Sequence, residues 1–175
     1  MTDTEHPQIL IAADEIAVRV TQMAEDIVAG LGPDLVMVVV LKGAFVFAAD
    51  LLRALSRAGG RPKVEFVRLS SYGNSRTSRG QVTRIGELPD VAGQRVLVVD
   101  DVLDTGFSAT YAVDAFRQSG AAEVRLCVLL DKPARRQVEV TADHIGFPVP
   151  DRFVVGYGID YAERWRELPY IAVLD

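Results

Sequence analysis

Three apolar runs in this chain have no polar alternation: Leu35-Val36-Met37-Val38-Val39-Val40-Leu41, Arg95-Val96-Leu97-Val98-Val99-Asp100, and Val124-Arg125-Leu126-Cys127-Val128-Leu129-Leu130. Unbroken, β-branched runs of this length suit strands buried on both faces, as in a parallel sheet covered by helices on each side. Helical spacing separates them. Ile16, Val20, Met23 and Ile27 recur before Gly30, which is expected to stop the first helix. Ala48, Leu51, Leu52 and Leu55 follow Lys42-Gly43 and are closed by Gly59-Gly60, and a third helix with Tyr111, Ala112, Ala115 and Phe116 ends at Gly120. A further strand, about Val64 to Leu69, leads into Ser70–Gly80, whose polar composition reads as a loop. Strands alternating with helices define a doubly wound, Rossmann-like α/β fold with a mainly parallel sheet, and leave the chain ends to form a small cap. The 175 residues are expected to form one domain, 1–175.

Bulk properties remove several classes of function. The net charge of -5 lacks the basic footprint of a nucleic-acid binder, so no nucleic-acid partner is expected. The single cysteine, Cys127, lies in an apolar run and can build neither a disulfide framework nor a thiolate metal cluster. The polar, acidic start is unlike a signal peptide, and no apolar stretch approaches the roughly 20 residues that cross a bilayer. A cytoplasmic protein without a membrane partner is the expectation. His6 and His144 fall in no motif.

In doubly wound sheets, ligands bind beyond the carboxyl ends of the strands, near the point where strand order reverses. The loops that matter therefore begin at Lys42, Asp100, Asp131 and Gly156. The most informative is Asp100-Asp101-Val102-Leu103-Asp104-Thr105-Gly106-Phe107-Ser108. A buried strand delivers two adjacent carboxylates, then a turn with a third carboxylate, hydroxyls and a glycine enters a helix. Amides at a helix N-terminus cradle phosphate. The carboxylates would repel that phosphate unless they face sugar hydroxyls or a divalent cation. A sugar phosphate with magnesium meets both conditions. The alternative is that Asp104 or Thr105 merely caps the helix and the Asp pair is solvated.

The segment resembles the phosphoribosyl pyrophosphate (PRPP) signature of type I phosphoribosyltransferases, and the rest of the chain resembles their hypoxanthine-guanine branch. Leu41-Lys42-Gly43 is similar to that branch's pyrophosphate loop, and Ser71-Tyr72 to its mobile catalytic loop. Asp131-Lys132-Pro133 and Val154-Val155-Gly156-Tyr157-Gly158-Ile159-Asp160-Tyr161 are similar to its purine and magnesium segments. Asp100 stands where the branch more often has Glu, and Ser108 where Thr is common. Both changes keep the functional group.

The resemblance implies a purine salvage enzyme that transfers the 5-phosphoribosyl group from PRPP to hypoxanthine, and to guanine, releasing pyrophosphate. It implies Mg2+ as cofactor, held by Asp100, Asp101 and Asp160, a cis peptide at Leu41-Lys42, and a homodimer or homotetramer. Leu41, Lys42, Gly43, Asp100, Asp101, Asp104, Thr105, Gly106, Phe107, Ser108 and Arg166 would bind PRPP. Asp104 would act as general acid/base at the purine imidazole nitrogen. Lys132, Phe153, Val154 and Asp160 would form the purine site, where an ammonium donor suits the O6 acceptor of a 6-oxopurine. The Ser71-Tyr72 loop would close as a lid over a water-sensitive intermediate. Arg136 aligns with a pyrophosphate or loop contact, whereas Arg135 and Arg164 are expected to be solvated. Other readings are a xanthine-guanine-preferring enzyme, a regulatory RNA-binding protein on the same fold, and a nucleotide binder without catalysis. The acidic charge and the 131–133 and 156–161 segments speak against the RNA-binding protein, and Asp104 against the plain binder.

Overall fold

A computed structural model describes residues 7–72 and 81–174. Element order is β1 (Gln8–Ile11), α1 (Ala13–Leu31), β2 (Val36–Leu41), α2 (Phe45–Arg57), β3 (Lys63–Tyr72), β4 (Gln81–Ile85), β5 (Arg95–Leu103), α3 (Phe107–Gln118), β6 (Glu123–Asp131), a single 3₁₀ turn (Pro133–Arg135), β7 (His144–Pro148), β8 (Phe153–Val155) and β9 (Ile171–Leu174). The main sheet has the order β4-β3-β2-β5-β6-β7. Every pairing in it is parallel except β3 with β4. Strand order reverses between β2 and β5, so the carboxyl ends of these two neighbours mark the ligand edge.

The unbroken apolar runs are explained by the two core layers. Met37, Val39, Leu97, Val99, Cys127 and Leu129 face the layer that holds Ile16, Val20, Met23 and Ile27 of α1 and Phe47, Leu51 and Leu55 of α2. The intervening residues Val36, Val38, Val40, Val96, Val98, Leu126 and Val128 face Ala109, Ala112 and Phe116 of α3. Side chains alternate across a strand, so a strand covered on both sides must be apolar at every position. The chain ends form the expected cap, an antiparallel sheet of order β1-β9-β8.

Two expectations are corrected. The first helix runs through Gly30 and stops at Gly32, whose φ of 86° an L side chain rarely adopts. Gly30 keeps its helical place, and its carbonyl accepts from Arg125 Nη2 at 3.2 Å. Ser70–Tyr72 is strand rather than loop. Backbone pairing with β4, Ser70 to Thr83 and Tyr72 to Gln81, needs no buried side chains at a sheet edge. The structure also adds a strand for which the sequence gives no clear pattern, β7. It docks on β6 because Gly146 lies against Leu129, where a Cβ would stand 3.2 Å from the Leu129 carbonyl carbon. Arg19 ties it to α1, donating to Ile145 O at 2.7 Å and Gly146 O at 3.0 Å.

Candidate active site

Three loops are wedged together at the β2 and β5 carboxyl ends. The Leu41-Lys42 peptide is cis, and Gly43 follows it before α2 begins. Gly43 packs against the Asp101 carboxylate so closely that a Cβ there would overlap Oδ2 and lie 2.7 Å from Cγ. From the other side Gly158, at φ 98°, presses on the same turn, where its own Cβ would stand 2.5 Å from Gly43 O. Glycine is required at both places because backbone and carboxylate fill the space of a side chain.

β5 carries Asp100 and Asp101 as its own residues, so the strand extends further than its apolar run. Both residues are half-buried. Desolvation pushes the Asp100 carboxyl well above the usual carboxylate range, and the neighbouring Asp101 charge adds to the shift. Desolvation raises Asp101 as well, opposed by hydrogen bonds from Asp100 and from the Val102 backbone and by the charge of Arg166. Two desolvated, adjacent carboxyls are a hard-oxygen donor set that a divalent cation suits. Asp160 does not join them in one cluster, and among the described residues no group of three or more acidic, His or Cys side chains converges to hold a metal. Asp160 instead pairs with Arg166 at 2.9 Å and accepts from Glu163 N at 2.8 Å. Magnesium keeps several waters and takes only one or two protein carboxylates beside substrate oxygens, so the residues fit such an ion in separate places rather than one cage.

The signature turn Asp104-Thr105-Gly106 follows β5, and Gly106 at φ 95° caps α3. A Cβ on Gly106 would meet Val140 Cγ1 at 2.6 Å and Val138 Cγ2 at 2.9 Å, so the turn is packed from below. The amides at the start of α3, beside Thr105, Phe107 and Ser108, stand at a helix N-terminus fit for a phosphate. Arg136 buttresses the turn. Its Nη1 donates to Leu103 O at 3.0 Å and to Asp104 O, and its Nη2 pairs with Asp131. Its role is therefore a loop contact.

Lys132 follows β6 and is buried, with its backbone N–H on Leu103 O at 3.0 Å and Nζ donating to Arg152 O at 2.8 Å. This brings it beside the signature turn and the segment that enters β8. Val154 is buried in β8, while Phe153 is 52% exposed with Tyr161 edge-on at 5.2 Å. Tyr161 in turn stacks on Trp165 at 6.1 Å, giving an aromatic wall with an open face. Arg166 is held by Gly158 O at 2.7 Å as well as by Asp160. Ser71 and Tyr72 lie in the backbone of β3, and the rest of the loop up to Gly80 lies outside the described residues.

Arg135 is exposed, as expected, but it is also ion-paired. Its Nε meets Asp104 Oδ1 at 2.6 Å and its Nη1 meets Asp151 at 3.4 Å. The 3₁₀ turn points it back over the site, which a sequence position next to Arg136 does not reveal. Arg164 lies 5.7 Å from the Trp165 ring. Glu163, on Lys42 Nζ at 2.7 Å, is a second residue that sequence reasoning missed.

Paired carboxylates, a phosphate cradle and a buried lysine at the switch point of a doubly wound sheet form the site of a phosphoribosyltransferase. The family model described as "Phosphoribosyl transferase domain" matches residues 4–162. The hypoxanthine-guanine phosphoribosyltransferase of Bacillus subtilis is 40% identical over 95% of this chain and 92% of its own length. A Listeria monocytogenes bifunctional protein TilS/HprT is 43% identical over 95% of this chain, which spans 26% of that relative's length. The crystal structure of a hypoxanthine-guanine phosphoribosyltransferase from Bacillus anthracis superposes with a TM-score of 0.90 at 38% identity, covering 98% of this chain and 100% of the other. This chain belongs to the hypoxanthine-guanine phosphoribosyltransferase family, a family of purine salvage enzymes.

Proposed function

We propose that residues 1–175 act as one catalytic domain that transfers the phosphoribosyl group of PRPP to hypoxanthine and guanine, giving the nucleotide and pyrophosphate. The observation that carries this reading is the approach of Asp104 and Lys132 to one another at the sheet edge, linked by Arg135 and the Leu103 carbonyl. Thr105 to Ser108 bind the 5-phosphate, and Asp100 and Asp101 hold the ribose hydroxyls. Lys42, Gly43 and Arg166 meet the pyrophosphate. Bound Mg2+ would be held by Asp100, Asp101 and Asp160 together with substrate oxygens, and supplies charge neutralisation for the leaving group.

Lys132 donates to the purine O6, Val154 lies at the base's edge and the open face of Phe153 stacks on its ring. Asp104 accepts the proton of the purine imidazole nitrogen as the bond to ribose forms. The polar segment that begins at Ser71-Tyr72 closes over the site and excludes water, which would otherwise hydrolyse PRPP. The enzyme acts in the cytoplasm, in keeping with its lone buried thiol and with the absence, among the described residues, of any helix long and apolar enough to cross a membrane. It assembles as a homodimer or homotetramer. The exposed Phe45 beside the apolar groove between α1 and α2 supports this.

Steady-state turnover with PRPP, magnesium and each of hypoxanthine, guanine, xanthine and adenine tests the reading. Because Lys132 offers only donors, adenine turnover is expected to be ~10⁴-fold or more below hypoxanthine. Comparable rates for adenine and hypoxanthine would remove Lys132 from its role.

A further inference from the structure

Lys42 and Arg166, the two basic residues at the pyrophosphate site, both have their side chains engaged by one carboxylate. Glu163 Oε1 lies 2.7 Å from Lys42 Nζ, and Oε2 lies 3.5 Å from Arg166 Nη2. One carboxylate thus spans the two groups that would grip the leaving group, much as two phosphate oxygens would.

The backbone is shaped to put it there. Ala162 at φ 51° and Glu163 at φ 63° are consecutive left-handed residues, a conformation that residues with a Cβ rarely adopt. They close a two-residue turn in which Tyr161 N donates to Arg164 O at 3.2 Å and Arg164 N to Tyr161 O at 3.0 Å. Turns of this hand favour Asn-Gly rather than Ala-Glu. Asp160 Oδ2 holds the turn by accepting the Glu163 N–H at 2.8 Å. Arg166 does not depend on Glu163 for its position, being fixed by Gly158 O at 2.7 Å and Asp160 at 2.9 Å.

We propose that Glu163 is an internal counter-anion of the pyrophosphate site. It occupies Lys42 and Arg166 before pyrophosphate arrives, yields them to the pyrophosphate group, and returns as pyrophosphate leaves. The proposal rests on the reading that Arg166 and the Lys42 backbone receive pyrophosphate, and adds that the Lys42 ammonium does so too. A singly charged carboxylate gives way to a multiply charged anion, yet each of its bonds must be exchanged. Glu163 therefore sets how weakly pyrophosphate is held.

The test is the product-inhibition constant of pyrophosphate against PRPP, measured with magnesium and saturating hypoxanthine for wild type, Glu163→Gln, Glu163→Asp and Arg166→Gln. Exposed ion pairs are individually weak, so removal of the charge from both pairs in Glu163→Gln is expected to tighten pyrophosphate about 3- to 10-fold. Glu163→Asp keeps the charge and tolerates the left-handed backbone, but its shorter arm cannot span both cations. It is expected to tighten pyrophosphate by about twofold or more on the same scale of exposed pairs. An unchanged or weaker constant in Glu163→Gln overturns the proposal. So does tightening in Glu163→Gln with a wild-type constant in Glu163→Asp, which would assign the effect to general charge. Arg166→Gln separates the underlying reading. It must weaken pyrophosphate, and if it does not, the pyrophosphate assignment fails and the counter-anion with it.

Discussion

Gly43→Ala should separate damage to the site from damage to the fold. Residue 43 sits where the loop after β2 meets the Asp101 carboxylate. The added methyl would overlap Oδ2 and stand 2.7 Å from Cγ. An ordinary carbon–carbon contact begins near 3.5 Å, so Cγ must recede by about 0.8 Å, and Oδ2 by more. Misplacement of about 1 Å in a catalytic constellation can cost about 10²-fold in rate. The fold should suffer less. Overpacking costs about 1–3 kcal/mol, and a carboxylate at the mouth of a site can swing aside, which puts the expectation near 1 kcal/mol. In a chain of this size that is a fall in Tm of about 2–4 °C. Gly59→Ala provides the control. Its φ of 90° makes alanine strained, yet a Cβ there meets nothing within 4 Å, and it lies past the end of α2, away from the site. It should lose about 1 kcal/mol or more of stability with unchanged kcat. Thermal unfolding and kcat at saturating PRPP, measured on both variants, decide the matter. A Gly43→Ala enzyme within about threefold of wild-type kcat would refute the argument that Gly43 exists to make room for Asp101.

Two other perturbations address the charged groups. Arg135→Gln frees Asp104 from a half-exposed ion pair worth about 0.2–1 kcal/mol, so the KM for hypoxanthine should fall, by at most about fivefold. A rise would mean that Arg135 contacts the base instead of competing with it. His144 is half-buried, its Nε2 has no hydrogen-bond partner among the described residues, and desolvation lowers its pKa from 6.5. The folded state then binds fewer protons than the unfolded chain, so this contribution is intact above about pH 6.5 and is lost as pH falls through the lowered folded value. His144→Asn should flatten the dependence of Tm on pH below 6.5, and an unchanged slope would show that His144 does not control it.

The sheet was legible because its central strands are buried on both faces, which leaves an unbroken apolar trace in the sequence. The edges were not, because β4 and β7 form through backbone pairing and through anchors such as Arg19 that carry no local pattern. The signature turn, the cis Leu41-Lys42 loop and Lys132 were legible as motifs. Arg135 and Glu163 were not, since a flexible charged side chain in a polar stretch reads as solvated until its partners are placed beside it. Asp160 shows the same limit from the other side. Its motif marked it as a candidate magnesium ligand, but its partners in the folded chain, Arg166 and the Glu163 amide, could not be read from that position.

The central claim is that Asp104 takes the purine proton, and Asp104→Asn tests it most directly. Asn keeps the size of the side chain but removes the basic oxygen. General acid/base catalysis is worth about 10²–10⁴-fold, so kcat at saturating PRPP, hypoxanthine and magnesium should fall by that range while PRPP affinity changes little. A kcat near the wild-type value would leave Asp104 as no more than the partner of Arg135 and contradict the account.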